Sequence, residues 1–282
     1  MRDDCVVHQL ELKAAELRLQ VIRMMGAGKV HHFGGSLSEA DIVSALYFYK
    51  MRYDPANPAW VERDRFIMSK GHSVPAQYVA LAMLGVFGLD ELSTLKKLGS
   101  RLQGHPAMHL TPGIEGCTGA LGEGLSYANG IALGGRLQGL RFRVYCLIGD
   151  GELHEGQVWE AAMTTAQRRL TNIVAIIDRN HLKAMDASDG PKVLDPLAER
   201  WRSFGWTVRE IDGHDMGAIV DALDWAEQQT DRPSLIIANT IKGKGISFVE
   251  GQAAYHNASI NSDQFARAMT ELESNLHGLV EA

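Results

Sequence analysis

Apolar side chains recur along this chain in two rhythms. Over residues 6–25, Leu10, Leu17, Val21 and Met24 return at helical spacing, which predicts an amphipathic helix. Residues 26–37 read as a loop, containing Gly26, Gly28, Gly34, Gly35 and the pair His31-His32. Ser36 with Glu39 three residues on is the pattern of a capping box, opening a helix that runs to residue 50. A short strand is expected at 65–69, left through the turn Lys70-Gly71-His72. Helices follow at 75–84 and 90–98, then a glycine-rich loop at 104–122.

The second half is more regular. Helix 123–137 leads to strand 143–148, helix 156–169 to strand 172–178, helix 197–204 to strand 206–211, and helix 216–228 to strand 234–240. A closing helix is expected at 263–279. Strands alternating with helices predict an α/β fold: a mostly parallel sheet with helices on both faces. Without an internal repeat or a Pro/Ser-rich linker, residues 1–282 read as a single domain.

Composition narrows the function classes. Apolar residues are 45% and charged residues 22% of the chain, ordinary for a soluble globular protein. A net charge of −6 argues against a nucleic-acid or anionic-membrane partner. Cys5, Cys117 and Cys146 make neither a zinc spacing nor a disulfide framework. With no signal-peptide pattern at the start and no apolar run of about 20 residues, a cytoplasmic location is expected.

The chemistry gathers at strand ends. Asp150 lies in the turn Gly149-Asp150-Gly151 leaving one strand, and Asn180 closes the next. In a parallel sheet such ends meet at one edge, where ligands bind. A carboxylate and an amide oxygen together suit Mg²⁺, which usually also takes phosphate oxygens. The bland reading is that Asp and Asn merely form turns there. A dinucleotide fingerprint fails, because His154 stands where the third glycine belongs, and Asp150 would repel a pyrophosphate unless a cation neutralised it.

His32, His72, His105 and His256 all lie in loops beside Gly or small polar residues. Brought together at the sheet edge, they would suit proton transfer near neutral pH. Glu155 opens a predicted helix, where it either complements the macrodipole or serves the site. Lys242 and Lys244, alternating with Gly243 and Gly245, are either a flexible basic loop or reach for a diphosphate.

These motifs together resemble the transketolases among the thiamine diphosphate enzymes. The family's signature, Gly-Asp-Gly followed about thirty residues on by Asn, appears as Gly149-Asp-Gly … Asp178-Arg-Asn180. Further landmarks run in family order along nearly the whole chain: Asp64-Arg-Phe-Ile-Met-Ser-Lys-Gly-His72, Gly104-His105-Pro, Thr118-Gly-Ala-Leu-Gly-Glu-Gly124, Gly149-Asp-Gly-Glu-Leu-His-Glu155-Gly, Asp212-Gly-His214 and Thr240-Ile-Lys-Gly-Lys-Gly245.

The resemblance implies a role for each matched residue. Asp150, the Asn180 side chain and the Leu182 carbonyl would hold Mg²⁺, or Ca²⁺ or Mn²⁺ in its place. Gly151 and His72 would hydrogen-bond the diphosphate, Gly119, Ala120 and Leu121 would line the cofactor, and Lys244 would contact the diphosphate. His32, His105 and His256 would handle substrate hydroxyls and protons, and Glu155 would link two active sites of an assembly. The reaction implied is transfer of a two-carbon ketol unit from a ketose phosphate to an aldose. Other thiamine diphosphate enzymes, a decarboxylating dehydrogenase or a deoxyxylulose-phosphate-type synthase, are the alternatives, with a non-catalytic cofactor-binding protein a third.

Two departures matter. Where the family has Ser-Gly-His-Pro, this chain has Val30-His31-His32-Phe33, which predicts a bulky Phe and a second His on that side of the pocket. The second is length, since a whole transketolase is more than twice as long and carries a pyrimidine-binding domain as well. The chain therefore looks like the N-terminal subunit of a split transketolase. It is expected to be inactive alone, to self-associate, and to pair with a separate C-terminal subunit, as α₂β₂.

Overall fold

The computed structural model describes residues 4–182 and 194–282. Among these, five strands form a wholly parallel sheet in the order β1-β2-β3-β5-β4. They are β1 (Arg65–Met68), β2 (Val144–Gly149), β3 (Ile173–Arg179), β4 (Thr207–Asp212) and β5 (Ser234–Asn239). Parallel neighbours require long crossovers, and helices supply them.

Side chains alternate across a strand, so each inner strand feeds two cores. Tyr145 and Leu147 of β2, with Val174 and Ile176 of β3, face one core. It is closed by α1 (Asp4–Met25), α3 (Ala40–Ala45), α4 (Val74–Met83) and α8 (Met216–Glu227). Val144, Cys146 and Ile148, with Ile173, Ala175 and Ile177, face the other. There α5 (Gly124–Leu137), α6 (Gly156–Gln167) and α7 (Leu197–Ser203) pack, with Trp201 and Trp206 fully enclosed. The last helix, α9 (Ser262–Glu281), lies back on α1 through Ala268 and Leu272.

Two elements differ from the sequence reading. The helix expected over 36–50 is interrupted: α2 (Phe33–Ser38) begins earlier, the chain breaks at Glu39, and α3 ends in a wide turn at Leu46–Lys50. Ser36 is inside α2 and its hydroxyl donates to the His32 carbonyl at 3.0 Å, so no capping box forms there. The cause is Glu39, which is drawn inward onto Lys70 at 2.6 Å instead of turning back to cap. Residues 90–98 yield only a 3₁₀ segment, Leu89–Thr94, because Lys96 takes a left-handed φ of 59° that ends any helix. A capping box does form at α9, where Asn261 and Gln264 bond reciprocally.

Candidate functional site

The loops leaving β1, β2, β3 and β5 meet at the carboxyl edge of the sheet. At their centre is Asp178, fully buried on β3 and in register with Gly149. Its carboxylate accepts from Ser38 Oγ (2.6 Å), Asn180 Nδ2 (3.3 Å), Thr240 Oγ1 and Lys70 Nζ. Lys70 also donates to the Gly35 carbonyl at 3.2 Å and pairs with Glu39. Burial alone would raise the Asp178 carboxyl, but the Lys70 charge holds it below its ordinary value. Lys70 itself is raised, since Asp178 and Glu39 outweigh its burial. Glu39 is the acid in excess, pushed by burial to about 8.

Beside this anchor is a cluster of oxygen acceptors. Asp150 Oδ1 accepts from Gly151 N–H and Oδ2 from His181 N–H, both at 2.7 Å. His181 adopts a left-handed φ of 61° to present that N–H. Asn180 gives its amide nitrogen to Asp178, and Leu182 N–H approaches its Oδ1 at 3.3 Å. The Leu182 carbonyl accepts from Lys242 Nζ at 2.9 Å. Burial, then the neighbouring Asp178 charge, raises the Asp150 carboxyl. Burial lowers Lys242 to about 8, with Asp150 pulling the other way.

The donor set fits a hard divalent cation. It offers a carboxylate, an amide oxygen and a carbonyl on adjacent turns, and an ammonium already rests on one of them. Among the described residues no three His, Cys, Asp or Glu side chains are grouped to hold a metal, so the fit depends on this mixed set.

Buried Glu152 ties the neighbouring loop down. Its Oε1 accepts from Ser69 Oγ (2.5 Å) and Gly122 N–H (2.8 Å), and its Oε2 from Gly149 N–H (3.1 Å). Thr118 donates to the Met68 carbonyl at 2.5 Å, and a Cβ on Gly71 would lie 1.9 Å from the Thr118 carbonyl. Only glycine fits at 71. The exposed segment Gly119, Ala120 and Leu121 is thereby held at the mouth of the site.

Three histidines pack beside it. Ring centroids are 4.7 Å apart for His32 and His72, 5.4 Å for His32 and His256, and 5.2 Å for His72 and His256. An antiparallel bridge carries the His256 loop to His32, with His31 N–H to Ala258 O at 2.8 Å and Ala258 N–H to His31 O at 3.0 Å. Burial lowers His32 and His256 to about 4 and His72 further, so all three rings are neutral at pH 7. Neutral imidazole offers one donor and one acceptor nitrogen, and His256 Nδ1 has no hydrogen-bond partner among the described residues. Such rings suit taking and returning protons.

The other expected site residues lie further out. His105 is exposed on its loop, near enough to act electrostatically on His32 but without a ring contact among the described residues. Glu155 is exposed at the start of α6, its Cβ beside Gly122, and is not part of the histidine cluster. Lys244 turns to Glu250 at 3.7 Å, while Lys242 occupies the acceptor cluster. The resemblance assigned the diphosphate contact to Lys244, but it is Lys242 that lies on the acceptor cluster, and the deciding contact is tertiary: a Cβ on Gly34 would meet Lys242 Cγ at 2.7 Å. His31 is 2% exposed, its ring reaching only the Met25 backbone and without full hydrogen-bond geometry, and Phe33 is enclosed in the core, so neither bulky residue of that departure lines an open pocket.

Comparison with known proteins identifies the family. Residues 11–277 match the family model described as transketolase, thiamine diphosphate binding domain. The chain is 45% identical over 258 residues to the 6-deoxy-6-sulfo-D-fructose transketolase subunit SqwG of Clostridium sp. strain MSTE9, covering 92% of this chain and 93% of that one. It is 39% identical to one subunit of the apulose-4-phosphate transketolase of Phocaeicola vulgatus, covering 97% of each. The crystal structure of transketolase from Campylobacter jejuni superposes with a TM-score of 0.85 at 29% identity, over 96% of this chain and 45% of that one.

Proposed function

Because the chain belongs to the transketolase family, as a thiamine diphosphate-binding subunit of a split enzyme, we propose that it catalyses two-carbon ketol transfer between sugars together with a separate C-terminal subunit. The observation that carries this is the juxtaposition of the Asp150, Asn180 and Leu182 oxygens with the neutral cluster His32, His72 and His256.

Asp150, Asn180 Oδ1 and the Leu182 carbonyl would hold Mg²⁺, with Ca²⁺ or Mn²⁺ as substitutes. Gly151 N–H, His72 and Lys242 would hold the diphosphate, and the backbone from Gly119 to Leu121 would line the cofactor. Bound thiamine diphosphate supplies the carbon nucleophile and electron sink that cleavage of a ketose needs. His32, His256 and His105 move protons at substrate hydroxyl and carbonyl oxygens, a contribution of roughly 10²–10⁴ in rate. Burial keeps the rings of His32 and His256 neutral at pH 7, so each has a free acceptor nitrogen, although the same burial makes them weaker bases than a solvated imidazole.

The relatives' names support a sugar substrate carrying a phosphate or sulfonate, and their naming as subunits supports the partner. Self-association as α₂β₂ is supported by the outward face of α5, where Tyr127 is 37% exposed and Gly130 is open. Glu155, at the edge of that face, would link paired sites. A cytoplasmic location belongs to the same proposal, and no helix among the described residues is long and apolar enough to cross a membrane.

The test is ketol transfer from a ketose phosphate to an aldose phosphate with thiamine diphosphate and Mg²⁺. It is run on the chain alone and on the chain co-expressed with a candidate pyrimidine-domain protein. Activity confined to the complex and lost in Asp150→Ala is the expected result. A cofactor-loaded complex that turns over no sugar pair would overturn the assignment.

A further inference from the structure

The turn that leaves β4, Asp212-Gly213-His214, is built to meet the chain leaving β5. Asp212 Oδ1 accepts from His214 N–H at 2.8 Å and folds the turn back on itself. Gly213 N–H donates to the Asn239 carbonyl at 2.7 Å, and a Cβ at 213 would lie 2.5 Å from Thr240 Cγ2. Only glycine lets the two segments come that close. The His214 ring then reaches the next residue, and its Nε2 accepts from Ile241 N–H at 2.8 Å.

That contact fixes the ring. A nitrogen that accepts a backbone N–H carries no proton, so Nδ1 is the donor, and it bonds Asp41 Oδ2 at 2.7 Å. Asp41, on α3, is buried and held in turn by Arg18 of α1, through Nη1 to Oδ1 at 2.9 Å and through Nη2 to Oδ2. Arg18 Nε also donates to the Leu37 carbonyl at 3.2 Å. Burial would raise the Asp41 carboxyl, but the Arg18 charge brings it down to about 2, so it stays ionised as the acceptor. A buried ion pair thus sets the tautomer and orientation of His214 from behind.

What the ring holds is the peptide before Lys242. Thr240 N–H goes to the Arg179 carbonyl and Gly243 N–H to the Gly34 carbonyl, each at 3.0 Å. Ile241, between them, leaves its side chain 40% exposed, so its anchor is its N–H rather than its packing. One residue on, Lys242 is buried and its Nζ rests on the Leu182 carbonyl.

We propose that His214 is a positioning residue for Lys242. Oriented by the Arg18–Asp41 pair, it holds the Ile241 peptide so that the ammonium stands at the cation and diphosphate end of the site. This rests on the reading that Lys242 holds the diphosphate, and adds the residue that aims it. The alternative is a bond that only ties the exit of β4 to the exit of β5.

Two substitutions separate these. His214→Asn keeps an amide N–H for Asp41 but stops short of Ile241, while His214→Gln can bring an amide oxygen to Ile241 N–H. In the assembled two-subunit enzyme with Mg²⁺, calorimetry should find thiamine diphosphate bound about 10-fold more weakly in His214→Asn, the size expected for losing one hydrogen bond. His214→Gln should restore most of it, and the loss should appear in KM for the cofactor rather than in kcat. In a Lys242→Met background His214→Asn should weaken binding no further, because a residue that acts through Lys242 has nothing left to aim. The same loss in both backgrounds would mean a tie alone and overturn the proposal, as would no loss in either.

If Lys242→Met itself leaves cofactor affinity unchanged, the diphosphate reading of Lys242 falls separately. His214 is then judged by hydrogen exchange of the full chain without cofactor. The Gly243 amide, on the far side of Lys242 from Ile241, should exchange about 10-fold faster in His214→Asn and slow again in His214→Gln. A Gly243 amide that exchanges alike in all three would overturn it.

Discussion

The cation end and the histidine end of this site are built in opposite ways. At the cation end the two aspartates are saturated: Asp178 has four donors on it, and both Asp150 oxygens hold a backbone N–H. At the histidine end, among the described residues, His256 Nδ1 has no partner, His105 is exposed, and Lys96 has a single bond to a carbonyl. The first is fixed by strands in register, the second by loops. Saturation makes an anchor that is rigid before anything binds. Unsaturation leaves hydrogen-bonding capacity for a substrate, and a surface to be completed by the second subunit we propose.

The largest expected effect breaks the anchor itself. Lys70→Met would leave Asp178 and Glu39 buried without their shared cation. It should cost about 3–5 kcal/mol of stability, read by denaturant unfolding. A cost below about 1 kcal/mol would mean the saturated end is not what holds this edge together.

Next is the division of labour. Asp150→Ala should abolish metal-dependent cofactor binding by calorimetry and lower turnover of the complex roughly a thousandfold, about 4 kcal/mol in barrier. His256→Ala should keep cofactor binding while lowering kcat by about 10²-fold or more. If His256→Ala weakened cofactor binding as much as Asp150→Ala, the contrast between anchoring and reacting ends would fail.

The two ends were also unequally legible in the sequence. Asp150 and Asn180 follow apolar strands directly, so local pattern places them at one edge, and the five-strand alternation follows from the same rhythm. The Asp178–Lys70–Glu39 network escapes that reading, because each member looks local: a strand residue, a turn lysine, a capping glutamate. Only tertiary pairing shows Glu39 breaking its helix instead of capping it. Glu152 is hidden likewise inside a turn motif, and Lys242 could be told from Lys244 only by the path that Gly34 leaves open. The histidines were found by composition of their loops, but which three would touch was not readable from spacing.

A pH titration sharpens the contrast. The folded pKa values of His31, His32 and His256 are about 4, below the unfolded value of about 6.5. Between these values these three rings bind more protons in the unfolded chain, so their contribution to stability rises with pH there. Glu39 opposes it, since its folded value of about 8 lies above its unfolded one. The rings' contribution is complete above pH 6.5 and is lost as pH falls toward 4. Thermal melts of the chain and of His256→Ala across that window should differ by this contribution, with a shallower acid decline in the variant, and identical pH profiles would contradict buried, neutral rings.

The smallest effect separates two adjacent histidines. His31 is enclosed, with no ring nitrogen at full hydrogen-bond geometry and only an approach to the Met25 backbone, while His32, one residue on, belongs to the ring cluster. An unsatisfied buried polar group costs about 1–3 kcal/mol, and an apolar side chain of similar size does not incur that cost. His31→Leu should therefore stabilise the chain by about 1 kcal/mol at pH 7 and flatten its acid decline, because one of the titrating groups is gone. His32→Leu should flatten the same decline yet lower turnover of the complex by about 10²-fold. Were His31→Leu to cost turnover as His32→Leu does, the enclosed ring would be acting on the substrate through its neighbour, and the boundary between core and site would lie one residue earlier than the structure puts it.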